Sequence, residues 1–356
     1  MVPALISFGS DNWAGASDKV MALLGEANVG PAPAYGNDVW TDRAKAALNA
    51  LFEREVTVFF VATGSGANSL AIAAYSRPGG ITLCHRDSHI ARDEAGAPLQ
   101  FAPQLIDGLD GAAGRIDPAI LEERLASYRR GNLNDGRPTV VSLTNVNEFG
   151  QCYSAAQVAE LARLAKTRDC TVHMDGARFF NALAYLGASA ADLTWRAGVD
   201  VLSLGLTKVG GWCAEMVVQF DGALAEDTAY RHKQAAMLLS KNRFASAQVC
   251  ALLEEGHAMD LALHANRMAE RLGETLAAAG APPALAPQSN EVFAWLTPDR
   301  VARLKAASVT FAPWLDMRSD FGPTPPAGLA DAVLHRFVAS FRTTDEDIEA
   351  VAAALA

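Results

Sequence analysis

A lysine in this chain occupies a position where its amine could react rather than only carry charge. Lys208 follows the largely apolar segment 202–206, and two glycines come after Val209. A charged ammonium in apolar surroundings is unfavourable unless it is paired or neutralised. An uncharged lysine is a nucleophilic amine that can form a Schiff base. A lysine at a strand end can also extend its charge to solvent, so upstream residues must decide between the two.

Two upstream segments supply what such an amine would need. Asp175 ends an apolar run, and the segment 63–68, Thr-Gly-Ser-Gly-Ala-Asn, follows another. Backbone N–H groups at a glycine-bearing helix N-terminus can bind phosphate, and a carboxylate can keep a pyridine nitrogen protonated. Taken alone, the segment can be an ordinary strand-to-helix turn and Asp175 a helix N-cap. In this order with Lys208, the three predict a site for pyridoxal phosphate.

Two further residues have both a chemical and a structural interpretation. His89 follows the apolar run 80–84, where a neutral imidazole could stack on a cofactor ring, act as a base or simply be structural. Arg336 lies between apolar neighbours, where its guanidinium could bind a substrate carboxylate or form a structural salt bridge. The glycine spacing of segment 63–68 matches neither the P-loop nor the dinucleotide-binding pattern.

The composition is typical of a globular protein with a sizeable core. Of the 356 residues, 50% are hydrophobic, and the formal net charge is −10, which argues against a nucleic-acid partner. The five cysteines contain no C-x-x-C pair, which argues against a disulfide framework or zinc site and favours a reducing compartment. We expect no metal. With no signal-peptide pattern and no apolar run long enough to cross a bilayer, we also expect no membrane and a cytoplasmic location.

Apolar runs that alternate with helical stretches from about 56 to 220 predict an α/β fold. Ser154 and Gln157 form a capping-box pair at the start of one such helix. Strand–helix alternation predicts a mostly parallel central sheet with helices on both faces. Ligands of such sheets bind at the carboxyl ends of the strands, and both Asp175 and Lys208 follow this rule.

The C-terminal part has a different pattern of predicted elements. Helical segments lead to a proline-rich turn at 281–287, half-buried strands at 291–296 and 333–341, and a terminal helix that begins near Thr344. We therefore expect an N-terminal segment and a large cofactor-binding domain over 1–245, followed by a small C-terminal α+β domain over 246–356.

These motifs together resemble the threonine aldolase/β-eliminating lyase family of fold type I pyridoxal-phosphate enzymes, particularly its low-specificity L-threonine aldolase and phenylserine aldolase branch. The blocks that carry the resemblance occur in the family's order and cover nearly the whole chain: 10–12, 34–38, 63–68, 88–90, 93–98, 173–179, 207–208 and 336–337. The block His-Met-Asp-Gly-Ala-Arg at 173–178 and the Thr-Lys pair at this spacing are the most specific.

The resemblance implies a role for each matching residue around the cofactor. Lys208 would form the Schiff base, Asp175 would bind the pyridine nitrogen, and Gly64 and Ser65 would bind the phosphate. His89 would stack on the ring and is a candidate base for the substrate hydroxyl.

The resemblance also implies a site for the substrate carboxylate. Arg178 would hold this carboxylate or the phenolic oxygen of the cofactor, and Ser10 and Arg336 would complete the carboxylate site. The family assembles as dimers or tetramers with active sites at subunit interfaces, so we expect a homo-oligomer and favour a homotetramer. The residues that would reach a neighbouring site are Tyr35, a substrate-binding candidate, with Arg231 and Lys233.

The implied reaction is retro-aldol cleavage by a carbon–carbon lyase. Its substrates would be L-threonine, L-allo-threonine and related β-hydroxy-α-amino acids, such as L-phenylserine, which would yield glycine and an aldehyde. A β-eliminating lyase or an aminotransferase on the same fold is the alternative, and a non-catalytic pyridoxal-phosphate-binding regulator is a more distant one.

Three positions depart from the family pattern. Val209 replaces the asparagine that usually follows the lysine in this branch, and Gly66 stands where alanine is common. Asn147 lies near where some relatives have a second active-site histidine. An amide is no base at neutral pH, so the base for the hydroxyl would be His89, Glu148 or a bound water.

Overall fold

The computed structural model describes residues 5–314, 325–329 and 331–356. The strands in these ranges are β1 (Ile6–Ser7), β2 (Thr57–Val61), β3 (Gly80–His85), β4 (Gln104–Leu109), β5 (Arg137–Thr144), β6 (Thr171–Gly176), β7 (Val201–Gly205), β8 (Glu215–Gln219), β9 (Glu291–Leu296), β10 (Val309–Thr310), β11 (Ala312–Pro313) and β12 (Val333–Val338).

The α-helices cover the faces of the sheets formed by these strands. They are α1 (Asp18–Ala27), α2 (Val39–Phe52), α3 (Gly64–Tyr75), α4 (His89–Arg92), α5 (Ala97–Phe101), α6 (Pro118–Ser127), α7 (Ala155–Lys166), α8 (Phe179–Leu186), α9 (Ala190–Leu193), α10 (Ala225–Gln234), α11 (Arg243–Leu253), α12 (His257–Ala278), α13 (Pro298–Ala306) and α14 (Asp345–Leu355). None of the helices in the described ranges is both long enough and apolar enough to span a membrane.

The central sheet has the strand order β2-β8-β7-β6-β5-β3-β4 in the described residues. Strands β7, β6, β5, β3 and β4, neighbours in this order, are parallel to one another. Strand β8 pairs antiparallel with both β7 and β2. The connection 206–214 is too short for the crossover that a parallel neighbour of β7 would need, so β8 must run antiparallel. The predicted mostly parallel α/β sheet is confirmed, with β8 as its exception.

This topology brings the three predicted chemical segments to one edge. Because β2 and β7 are both antiparallel to β8, they run in the same direction as each other and as β6. The carboxyl ends of β2, β6 and β7 therefore lie at one edge of the sheet. Helix α3 follows β2, Asp175 lies near the end of β6, and Lys208 follows β7. Gly205 lets these ends approach closely, since a Cβ there would lie 2.8 Å from the Cα of Ala177.

The glycine-rich segment 63–68 differs from its prediction, because it is helical almost throughout. Its glycines favour a strand-to-helix turn, but α3 begins at Gly64, and Thr63 is its N-cap. The Thr63 hydroxyl accepts a hydrogen bond from the Gly66 backbone N–H at 3.1 Å. This cap stabilises the first turn in spite of its two glycines, and it places the helix N-terminus itself at the sheet edge.

The C-terminal part has its own antiparallel sheet, in the order β11-β12-β9. Helices α12 and α14 enclose a second core there, and Phe8 of the N-terminal segment packs into it. Strand β12 ends at Val338 rather than at 341, because the Ser340 N–H bonds the Thr343 hydroxyl in a turn that leads to α14. Strand β9 is almost wholly buried rather than half-buried.

The domain boundary at residue 245 stays a prediction. Helix α11 crosses it and packs against α1 and α2. Strand β1 pairs in parallel with β10, so the N-terminal segment also joins the C-terminal part of the chain.

Candidate active site

A cavity of about 520 Å³ opens at the carboxyl edge of the central sheet, between it and the C-terminal part. Eight of the nine predicted site residues line it, which brings side chains from both ends of the chain together: Ser10, Gly64, Ser65, His89, Asp175, Arg178, Lys208 and Arg336. Tyr35 is not in the lining. Asn147 and Glu148 also face this cavity.

Lys208 lies in the turn between β7 and β8. Burial lowers the pKa of its amine, and the positive charge of Arg178 lowers the pKa further, while Asp11 and Asp175 oppose the change. Glu215 orders this turn by accepting a hydrogen bond from the Thr207 backbone N–H at 3.1 Å. A lysine with a lowered pKa gives up its proton more readily, which is the requirement for a nucleophilic amine.

Asp175 is buried near the carboxyl end of β6, where two protein groups donate hydrogen bonds to its carboxylate. Its Oδ2 accepts from the Asn68 side-chain amide at 2.9 Å, and its Oδ1 accepts from the Ala177 backbone N–H at 3.0 Å. It is not a helix N-cap, because α8 begins at Phe179 with Arg178 in the N-cap position. A carboxylate oxygen accepts more than one hydrogen bond, so Asp175 can also accept one from a pyridinium N–H.

The N-terminus of α3 has free donors for an anion. Within the described residues, the backbone N–H groups of Gly64 and Ser65 donate no hydrogen bond, as is usual for the first residues of a helix. The hydroxyl of Thr207 is buried and also has no partner in the same ranges. These groups, next to the lowered-pKa amine of Lys208, fit the phosphate end of pyridoxal phosphate.

His89 begins α4 and is held by two glutamates. Its Nδ1 lies 2.9 Å from Glu94 Oε1, and its backbone N–H donates to Glu148 Oε1 at 2.7 Å. The hydrogen bond with Glu94 raises the pKa of His89, against the effect of burial. The His89 side chain is 43% exposed, so its ring can meet a ligand in the cavity.

The two arginines are paired to different degrees. Arg178 donates to both oxygens of Asp11, at 2.7 and 3.1 Å, and Glu291 lies 3.4 Å from its Nη1. Arg336 lies 3.6 Å from Glu291 and stacks over Trp314 at 4.3 Å. Its buried Nε has no partner among the described residues. Arg336 therefore keeps a free donor for a substrate carboxylate, whereas Arg178 has much of its guanidinium occupied.

Ser10 stands beside these arginines at the cavity wall. Its hydroxyl accepts from the Asn12 backbone N–H at 3.2 Å and caps a short 3₁₀ helix at Asp11–Trp13. A hydroxyl that accepts one hydrogen bond still has its own proton to donate. Ser10 can therefore add a donor to the one that Arg336 offers.

The three departures from the family pattern have different surroundings. The side chain of Val209 is buried in the large core and does not line the cavity. A Cβ on Gly66 would lie 3.0 Å from the Thr63 hydroxyl, so glycine leaves room for the cap. Asn147 has a structural role: its Oδ1 accepts from the Phe149 and Gln151 N–H groups.

Tyr35 lies outside this cavity and is 52% exposed. The ammonium of Lys233 is 5.1 Å from the centre of its ring. Arg231 lies on the same helix, α10, and is also absent from the lining. The expectation that these three residues reach a neighbouring subunit stays a prediction.

Several buried residues that hold the site in place are not among the predicted site residues, namely Asp11, Asn68, Glu94, Glu215 and Glu291. A signal for two of them exists. Glu215 and Glu291 each open an apolar strand, where an unpaired charge is as unfavourable as at Arg336. The partners of Asp11, Asn68 and Glu94 are remote in sequence or on other elements, so only the fold reveals them.

A sheet edge that joins a helix N-terminus, a buried aspartate and a lysine beyond the next strand defines the fold type I class of pyridoxal-phosphate enzymes. The model of the beta-eliminating lyase family matches residues 7–298, and the chain belongs to this family. The predicted family and fold class are confirmed.

Curated relatives agree with this assignment. The chain is 38% identical over 307 residues to the low specificity L-threonine aldolase of Pseudomonas aeruginosa. The matched segment covers 85% of this chain and 88% of the relative. It is 39% identical over 272 residues to the low specificity L-threonine aldolase of another Pseudomonas strain, covering 76% and 78%. The solved threonine aldolase of Leishmania major has a TM-score of 0.88 at 23% identity and covers 98% of this chain and 99% of its own.

Proposed function

We propose that this chain is an aldolase that cleaves L-threonine, L-allo-threonine and related β-hydroxy-α-amino acids to glycine and an aldehyde. It is an enzyme of a lyase family, and its cofactor is pyridoxal phosphate. The observation that carries the proposal is the meeting of Lys208, Asp175 and His89 in one cavity. The two relatives with 38% and 39% identity, both named low specificity L-threonine aldolase, support the choice of reaction.

Pyridoxal phosphate, when bound, supplies a protonated pyridine ring that accepts the electron pair of the bond broken at Cα. Lys208 would supply the amine that binds the cofactor. Asp175 would hold the proton on the pyridine nitrogen, because a buried carboxylate favours a neighbouring positive charge. Gly64 and Ser65 would donate their N–H groups to the phosphate.

Arg336 and Ser10 would hold the substrate carboxylate through the donors that the protein leaves free. A carboxylate fixed at this end sets which bond of Cα stands perpendicular to the cofactor ring, and such orientation supplies a large part of catalysis. Arg178 would contribute mainly its positive charge, since Asp11 already occupies two of its donors.

Cleavage requires a base that removes the proton of the substrate hydroxyl. Burial and, next, the charge of Asp175 raise the pKa of Glu148 to about 8, so its carboxyl is largely protonated at neutral pH and is a weak candidate. The pKa of His89 is raised but starts from 6.5, close to the operating range of a general base. This contrast favours His89, directly or through a water.

The test is a product assay with purified chain, added pyridoxal phosphate and L-allo-threonine, L-threonine or L-phenylserine. We expect glycine plus the matching aldehyde, with Lys208→Ala inactive and the exposed-lysine variant Lys45→Ala unchanged. Full turnover by Lys208→Ala would refute the assignment of the lysine.

The family name makes β-elimination the second candidate. L-Serine would then give pyruvate and ammonia, and L-threonine would give 2-oxobutanoate and ammonia. An aminotransferase would instead need a keto acid to turn over. Bound cofactor with no turnover of any of these amino acids would favour a regulator.

A homo-oligomer, dimer or tetramer, is part of the proposal, as is a cytoplasmic location. The side chains of Trp13 and Trp212 are 59% and 62% exposed, so both are available to a subunit interface. Light scattering of the purified protein measures the number of subunits, and a monomeric mass would refute this part.

A further inference from the structure

A buried glutamate connects His89 with the acceptor of the pyridine proton. The Glu94 side chain is 0% exposed, and its Oε1 lies 2.9 Å from His89 Nδ1 and 2.8 Å from Asn68 Nδ2. The same Asn68 nitrogen lies 2.9 Å from Asp175 Oδ2. The four side chains form one continuous chain of hydrogen bonds along the cavity wall.

The chemistry of this chain determines which ring nitrogen of His89 carries the proton. Asn68 Nδ2 can only donate, so Glu94 Oε1 is an acceptor there. The carboxylate form of Glu94 can only accept, so His89 Nδ1 is the donor in the bond with Oε1. The neutral ring of His89 therefore carries its proton on Nδ1 and its lone pair on Nε2. Across the described residues, Nε2 has no protein partner, and it is left for a ligand.

Asn68 also ties two carboxylates together. Its amide has two hydrogens, and the two acceptors within reach are Glu94 Oε1 and Asp175 Oδ2. Each hydrogen is thus committed, which fixes the orientation of the amide and keeps two buried acids at a set separation. The Asn68 Oδ1 atom is left without a partner in the described ranges.

We propose that Glu94 and Asn68 are positioning residues that hold His89 in the Nδ1–H form, with a basic Nε2 towards the substrate hydroxyl, and couple its charge to Asp175. The inference rests on the proposed function, because it concerns the base of that reaction. Glu94 acts through His89, as the orienting acid does in a catalytic triad.

Several charged groups besides Glu94 act on the titration of His89. Asp175 raises the pKa of the imidazole and Lys208 lowers it, while the hydrogen bond with Glu94 is the largest influence. Glu148 accepts a hydrogen bond from the backbone N–H of His89 and none from its ring in the described residues. A variant that removes the charge of Glu94 alone should therefore lower the pKa of His89.

The first experiment reads the tautomer directly and needs no turnover. Magic-angle-spinning ¹⁵N spectra of histidine-labelled protein, loaded with pyridoxal phosphate and without substrate, report which ring nitrogen is protonated, and His89→Gln identifies the signal. We expect Nδ1–H in the parent protein and in Glu94→Gln, which keeps an acceptor. In Glu94→Met, which is of similar size but offers only a weakly accepting thioether, a mixture with the Nε2–H form should appear.

The matched control is Asp93→Asn, which removes a neighbouring cavity charge whose carboxylate makes no hydrogen bond with the His89 ring in the described residues. It should leave the tautomer unchanged. An Nε2–H ring in the parent protein, or an undisturbed Nδ1–H ring in folded Glu94→Met, would overturn the inference. Because these spectra need no substrate, they judge it even if the aldolase assay fails.

The second experiment measures how the charge of Glu94 affects the pKa of His89. In Glu94→Gln the acid limb of the kcat/KM profile for L-threonine should move about one pH unit lower, since an adjacent opposite charge changes a pKa by about that much or more. This variant keeps the shape of the side chain, so it remains informative if Glu94→Met does not fold. An acid limb that stays in place would refute the coupling of His89 to Glu94.

Discussion

Arg178 donates hydrogen bonds from Nε and Nη2 to the two oxygens of Asp11, at 2.7 and 3.1 Å. Asp11 is 167 positions away in the sequence and is wholly buried in the fold. The attraction of Arg178 helps lower the pKa of this acid in spite of burial. The pair ties the N-terminal segment to the end of β6, and it keeps a compensated positive charge beside Lys208.

We expect Asp11→Asn to destabilise the protein by about 3 kcal/mol, because it leaves a buried guanidinium without its main counter-ion. The measurement is urea unfolding at neutral pH with cofactor present. Asp18→Asn is the control: it breaks a pair with Arg342 whose acid is 91% exposed, and little change is expected. Equal stability of the two variants would show that the buried pair does not stabilise the fold.

Arg336→Gln should raise the KM for L-threonine by about 10- to 100-fold, the loss expected for a hydrogen bond to a charged group. The variant would lose the hydrogen-bond donor for the substrate carboxylate, while the residues that act at the cofactor would be unchanged. Arg336→Lys should recover part of the affinity, since lysine keeps the charge but not the planar donors. Steady-state kinetics separate KM from kcat, and an unchanged KM would place the carboxylate elsewhere.

His89→Gln should lower kcat by about 10²- to 10⁴-fold, the usual contribution of a general base. Glu148→Gln should have a clearly smaller effect on kcat, because a carboxyl with a pKa of about 8 is already mostly protonated at neutral pH. The two variants are compared with L-threonine at pH 7. A larger loss in Glu148→Gln than in His89→Gln would move the role of base to Glu148.

Glu148→Gln should also change how stability depends on pH. The pKa of Glu148 is raised from 4.5 to about 8, so the folded protein holds a proton that the unfolded chain has released between these values. The stability of the parent protein therefore falls as pH rises through this window. The variant lacks that loss and should gain relative stability towards pH 8.

Urea unfolding at pH 5.5, 7 and 8.5 measures this difference. Glu122→Gln, an exposed residue of α6, is the control and should show no such trend. A constant difference between Glu148→Gln and the parent across the three pH values would mean that Glu148 is ionised throughout.

Much of the site follows from local patterns in the sequence. Asp175 and Lys208 were identified because a charged residue at the end of an apolar run needs a partner or a function. The start of α3 was harder, because glycines predict a turn, and the cap by Thr63 that keeps them helical depends on one hydrogen bond.

The relation between elements could not be predicted in the same way. Glu291 on β9 lies close to two arginines, Arg178 just after β6 and Arg336 on β12. The pairing of β9 with β12 brings Glu291 close to Arg336, and the packing of this sheet near the end of β6 brings Glu291 close to Arg178. No spacing along the chain encodes these contacts.

The α/β class and the order of the chemical segments follow from the sequence, because they depend on periodicity and on residue type at strand ends, and the family follows from the resemblance of its motifs. The pairing of the side chains depends on the folded arrangement: Arg178 with Asp11, His89 with Glu94, and Asn68 between Glu94 and Asp175. The physical reason is that a hydrogen bond depends on distance and direction between side chains, and a strand or helix pattern specifies neither for residues far apart in the chain.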